Sequence, residues 1–153
     1  MKVFFAATDS VYGVGIRRFE GGEFNHTGFI LPNGKVIEAV DGPGVTMHES
    51  IAVIKDRYTK LVVYDLVVPN EAAGLRFLEE QLGKDYDRLA ILGILLQRNW
   101  QKDSAWYCSE LLAAWYIHVG LAIAGAEKYN RVPVRLTHAV THALHGGQAW
   151  VLQ

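Results

Sequence analysis

The chain reads as a single α+β domain: a small antiparallel sheet packed on one cysteine-bearing helix. Three observations give that reading. Short β-prone runs fill the first part, two of them joined by a Pro32-Asn33-Gly34 turn. A nearly all-apolar run, Leu61 to Val68, supplies a core strand. Helical periodicity then follows, culminating in the stretch after Trp106-Tyr107-Cys108. At 153 residues there is chain enough for one real core. The net charge of −1 leaves no electrostatic footprint for nucleic acid or an anionic membrane. The single cysteine, Cys108, excludes an internal disulfide and a Cys-rich zinc site. No run reaches the roughly 20 apolar residues of a membrane span. Met1 to Ala7 is apolar but too short for a signal peptide, and Thr8-Asp9-Ser10 ends it. The expectation is a protein cytoplasmic at synthesis.

Taken in order, residues 2–7 form a strand. Asp9 or Ser10 caps a short helix running to about Phe19, with Val11, Val14, Ile16 and Phe19 apolar. Gly13 and Gly15 weaken that helix unless they let the backbone pass close to something. Glu20-Gly21-Gly22-Glu23 is a turn. Phe24–Leu31 and Lys35–Val40 make a hairpin whose register the sequence leaves open. A three-residue loop places His26 and Glu38 on one face as diagonal neighbours; a two-residue Asn33-Gly34 loop separates them. Asp41 to Gly44 is a loop, and Glu49 to Tyr58 a short helix with Ile51, Val53 and Ile54 inward. Pro69 stops the core strand, Asn70 caps a helix running to Gly83, and an apolar helix spans 88–97. Arg98 to Ala105 is a loop. Glu110 to Leu121 is a helix with Leu111, Leu112, Trp115 and Val119 on one stripe. Residues 121–134 are irregular, Thr137 caps a helix over 138–145, and Ala149–Leu152 is a closing strand.

The chemistry centres on Cys108. It falls near a helix N-terminus, where unpaired N–H groups and the dipole favour a thiolate over a thiol. A free cysteine also packs well as a small hydrophobe, so its position alone does not make it a nucleophile. Thiol chemistry needs a base and a group that orients the base. His26 opens an otherwise apolar strand, with Gly28 expected to leave space on the same face. Glu38 can accept the second imidazole N–H and hold the tautomer.

The run Phe24 to Leu31 followed by Gly34 to Ala39 resembles the histidine hairpin of the circularly permuted NlpC-type papain-like hydrolases, in their YiiX-like branch, related to lecithin–retinol acyltransferase. Gly83-Lys84-Asp85-Tyr86-Asp87 with the following apolar helix resembles that family's middle segment, and Trp106 to Leu111 its cysteine motif. The histidine precedes the cysteine, as in the permuted members. The likeness covers roughly residues 8–145. It implies a permuted papain-like fold with Cys108 as nucleophile, His26 as base and Glu38 as third member, and no cofactor or metal. Glu110 matches a motif position suited to support or capping. The Cys108 backbone N–H is the expected oxyanion donor, with Tyr12 a candidate second. The implied activity is cleavage of an amide in a peptide or peptidoglycan stem through an acyl-enzyme. The alternative within the enzyme class is an acyltransferase or thioesterase on lipid or acyl esters. Small permuted members occur in bacteria and their phages.

Two further classes stand beside it. His138, His142 and His145 fall at i, i+4 and i+7, a spacing that could hold a metal for hydrolysis, though without the Glu of a His-Glu-x-x-His arrangement. A non-catalytic binding module on the same fold would use the abundant aromatics Trp106, Tyr107, Trp115, Tyr116 and Trp150.

Overall fold

The computed structural model describes residues 1–88, 104–121, 132–144 and 149–151. The first strand, β1 (Lys2–Ala7), leads into helix α1 (Val11–Glu20). Ser10 caps α1, its hydroxyl oxygen accepting the Gly13 N–H at 3.0 Å, and Gly21 ends the helix in the left-handed region. Strands β2 (His26–Ile30), β3 (Val36–Val40), β4 (Gly44–His48) and β5 (Lys60–Asp65) follow. Helix α2 (Glu71–Gln81), a two-residue strand β6 (Asp85–Tyr86) and its partner β7 (Ala105–Trp106) come next. Helices α3 (Cys108–His118) and α4 (Val134–Leu144) precede the last strand, β8 (Ala149–Val151).

Six strands form one antiparallel sheet in the order β4-β3-β2-β1-β5-β8. The sheet is larger than the sequence predicts because β4 adds to the hairpin's far edge. Strands β6 and β7 pair in parallel beside it. Alternation along the strands sorts the core into two faces. Val3, Phe5, Phe29 and Ile37 point toward α3, where Phe29 meets the Trp115 ring at 5.3 Å. Phe4, Ala6, Val36, Leu61 and Val63 point the other way, onto Ile54.

Helix α3 differs from the single apolar stripe that its sequence suggests. Every residue from Cys108 to Tyr116 is buried. A helix apolar all round belongs inside a domain, and α3 lies between the sheet, α2 and α4. Close approach of α2 depends on Gly74: a Cβ there would fall 2.5 Å from Trp115 Nε1 and 2.4 Å from Val119 Cγ1. The aromatics Trp106, Tyr107, Trp115 and Tyr116 are core residues, not a contact surface.

Several local expectations need correcting. Residues 49–58 form two short 3₁₀ turns, Ile51–Val53 and Lys55–Arg57, and of the three apolar residues only Ile54 is fully buried, with Val53 exposed. The core strand ends at Asp65, and Val67 is solvent-facing. In α1, Val14 and Phe19 face solvent, and the helix packs instead through Gly13, where a Cβ would strike Asn25 and Thr8. Helix α4 starts one turn before Thr137, after Pro133, whose carbonyl accepts the Leu136 N–H at 3.0 Å. The helix expected over 88–97 lies almost wholly outside the described residues, as does most of the irregular stretch 121–134. No helix among the described residues is long and apolar enough to cross a membrane.

Candidate active site

The hairpin closes through a three-residue loop. Leu31 N–H donates to the Lys35 carbonyl at 2.8 Å, and Gly28 lies opposite Glu38. That register places His26 and Glu38 on one face, and His26 Nε2 sits 2.6 Å from Glu38 Oε2. Gly28 does not open space there, as the sequence suggested. The Phe4 ring fills it, so that a Cβ at position 28 would lie 2.6 Å from Phe4 Cε1. Phe4 in turn packs against His26, ring centres 6.0 Å apart.

Glu38 is fully buried in the middle of the apolar strand Val36–Val40. A carboxylate in such a place must be neutral or met by donors. Four groups meet it. His26 and the Tyr58 hydroxyl both reach Oε2 at 2.6 Å; Arg57 Nη1 donates to Oε1 at 3.2 Å. His48 Nε2 lies 2.9 Å from Oε1, near enough for an ion pair though off the line of a hydrogen bond. Burial opposes the ionised form of Glu38, but the hydrogen bond and charge of His26, then Tyr58 and His48, outweigh it and hold the group down at about 2.

Cys108 is the first residue of α3 and is buried. The first intrahelical bond runs from Leu111 N–H to the Tyr107 carbonyl at 3.1 Å. The N–H groups of residues 108–110 therefore have no acceptor inside the helix. The helix start is pinned by two hydroxyls, Tyr107 and Ser109, each donating to the Val132 carbonyl at 2.6 Å. His26 opens β2, the strand that packs on α3. Burial works against the imidazolium, but contact with Cys108, then Glu38, overrides it and carries His26 up to about 10. With Nε2 held by Glu38, Nδ1 is the nitrogen left for the sulfur.

Three predicted residues, Cys108, His26 and Glu38, thus come together. Glu110 occupies the third position of α3 and is buried. Tyr12 falls in α1, but its side chain lies outside the described residues. Sequence reasoning missed Tyr58, His48 and Arg57, which lie 10 to 20 residues from Glu38. The three-histidine helix does not assemble a site among the described residues. His138 Nε2 is 2.8 Å from the Tyr64 hydroxyl and His142 Nδ1 is 3.5 Å from it, while His145 lies outside them.

This arrangement defines an α+β protein with a cysteine at a buried helix mouth facing a histidine on an antiparallel hairpin. Among solved structures it is similar in fold to the metalloprotein YiiX of Escherichia coli O157:H7, with a TM-score of 0.61 and 22% identity. The match covers 78% of this chain and 64% of that one, so this chain spans less than two thirds of that protein's length. No family model matches the chain, and no curated protein does. Arg57 stands at Glu38 where a second cation would be repelled, and no group of three or more His, Cys, Asp or Glu side chains among the described residues is placed to hold an ion.

Proposed function

We propose that the protein is a cysteine-dependent hydrolase that cleaves an amide bond, of the peptide or peptidoglycan-stem type, through an acyl-enzyme on Cys108. The reading also takes the chain as a circularly permuted NlpC-type papain-like domain, with histidine and carboxylate preceding cysteine. The observation that carries it is the setting of His26: Glu38 holds its Nε2 at 2.6 Å, on the strand that packs against the helix Cys108 begins. An imidazole held between a carboxylate and a sulfur at a helix N-terminus is what thiol acylation requires.

The reaction follows from where the proton sits. With His26 raised to about 10, the imidazole carries the proton at neutral pH. The sulfur attacks the carbonyl carbon, the S–C bond forms and the carbonyl electrons move onto oxygen. The Cys108 backbone N–H at the helix mouth faces the developing charge. The tetrahedral species collapses, the C–N bond breaks, and His26 gives its proton to the leaving amine. In the thioester the sulfur is bonded to carbon and no longer partners the ring. That removes the leading cause of His26's elevation, so the neutral imidazole can now take a proton from water. Hydroxide adds to the thioester, the C–S bond breaks, the acid departs, and the proton on His26 again faces the sulfur.

The test is alkylation by labelled iodoacetamide across pH, on the native protein and on His26→Ala, with intact-mass detection of acyl adducts from amide and ester donors. The proposal expects labelling of Cys108 that depends on His26, and an adduct from an amide donor. Equal, slow labelling of both proteins would remove the nucleophile; an adduct from esters alone would turn the assignment to acyl transfer.

A further inference from the structure

One hydrogen bond fixes a point on an imidazole but leaves the ring free to turn about that point. His26 needs its plane fixed as well, because Nδ1 must face the sulfur while Nε2 faces Glu38. Tyr58 supplies that constraint. Its ring lies over the His26 ring at 5.7 Å with 22° between planes, and Phe4 packs against both at 6.0 Å. The Tyr58 hydroxyl donates to Glu38 Oε2, the oxygen that also holds His26. Its backbone is pinned on both sides: Tyr58 N–H donates to the Lys55 carbonyl at 3.0 Å, and Thr59 N–H to the Ala7 carbonyl at 2.9 Å. We infer that Tyr58 is a positioning residue for the reaction proposed above, setting the plane of His26 by stacking and the orientation of Glu38 by its hydroxyl.

The inference rests on that catalytic reading but is read out separately. The groups facing Glu38 are His26 from β2, His48 from β4, and Arg57 and Tyr58 from the turn before β5. Burial, and then the charge and hydrogen bond of Glu38, push the Tyr58 phenol far above its ordinary range, so it stays a donor throughout. Tyr58→Phe keeps the ring and loses the hydroxyl; Tyr58→Leu loses both.

The experiment measures iodoacetamide labelling of Cys108 from pH 3 to pH 9 on native protein, both Tyr58 variants and His26→Ala, with ring-nitrogen NMR of His26. For Tyr58→Phe, loss of one donor to Glu38 should slow labelling of Cys108 by roughly threefold and shift the His26 ring-nitrogen signals from native. For Tyr58→Leu, labelling near neutral pH should also fall on the order of tenfold, with His26 resonances broadened by ring motion. Variants with lowered melting temperature but native labelling rates and native His26 spectra would overturn the inference. Should both variants fail to fold, the native protein decides. Cross-relaxation between the Tyr58 hydroxyl proton and the His26 ring is expected, and its absence overturns the inference. If His26→Ala labels as fast as native protein, the nucleophile reading falls, while the hold of Tyr58 on His26 is still read from the spectra.

Discussion

Replacing Glu38 by Gln tests the centre of the site. The carboxylate receives hydrogen bonds from His26, Tyr58 and Arg57, and His48 lies within ion-pair reach. A glutamine amide accepts at one end only, and its NH₂ must face donors at the other. The loss can be sized in two ways. Holding Glu38 at about 2, against an ordinary 4.5, corresponds to about 3 kcal/mol in favour of the ionised over the neutral form. Breaking a buried ion pair independently costs roughly 3–5 kcal/mol. At about 2–4 °C per kcal/mol for a chain of this size, Glu38→Gln should melt on the order of 10 °C lower. The histidine responds too. Glu38 is one of two partners that raise His26 to about 10, with Cys108 the larger. Without Glu38 the His26 titration, followed by NMR, should drop by about one pH unit or more. Calorimetry and the His26 titration together decide. A variant that melts with the native protein and titrates His26 unchanged would show that Glu38 and His26 are not coupled, and the site as built here would be wrong.

Stability should depend on pH in both directions. Glu38 is lowered, so its contribution is present above its unfolded value of 4.5 and is lost as pH falls through about 2. His26 is raised, so its contribution is full below 6.5 and is lost as pH rises through about 10. Chemical denaturation should therefore show a plateau between pH 4.5 and 6.5, and His26→Ala should flatten the alkaline decline. Gly74→Ala should destabilise by roughly 1–2 kcal/mol, since the clash with Trp115 and Val119 exceeds the gain in helix propensity. Its His26 titration should stay native, which separates packing of α2 from the site. Gly28→Ala should do both kinds of damage. Its Cβ displaces Phe4, costing about 1–3 kcal/mol in denaturation, and removes a support of His26, slowing iodoacetamide labelling.

What could be read in advance was whatever had a local cause. Ser10 and Asn70 cap the helices they precede, each accepting a backbone N–H at 3.0 Å. The closing strand, Ala149–Val151, was legible from its own composition, and its pairing with β5 extends the sheet. The hairpin was legible but not its register, because Pro32-Asn33-Gly34 permits two loop lengths. Here the Leu31–Lys35 bond selects the longer. What escaped had causes far along the chain. Strand β4 begins at Gly44, whose φ of +75° and tight approach to the Lys84 carbonyl fix where it starts. The β6–β7 pair is two residues long on each side, too short to carry a pattern. The stripe read on helix α3 is only part of its buried surface, because every residue from Cys108 to Tyr116 is covered by the sheet, α2 or α4.

The partners around Glu38 follow the same division, with one difference. Their identities were hidden, since His48, Arg57 and Tyr58 sit on segments that no periodicity ties to β3. Their existence was not. Val36-Ile37-Glu38-Ala39-Val40 places an acidic residue inside a run that must be buried for the sheet to have a core. A carboxylate there offers about four acceptor positions, each costly if left empty. One histidine cannot fill them. The triad written from the sequence was therefore short of donors on physical grounds alone, and the remaining partners had to come from whatever covers that face of the sheet. The covering segment is the pair of 3₁₀ turns, which brings Arg57 to one carboxylate oxygen and delivers Tyr58 to the other. A residue that only filled space there would have no reason to spend its hydroxyl on the oxygen that already holds His26. That sharing ties the covering segment to the orientation of the imidazole, so the turn before β5 belongs to the site as much as the hairpin does.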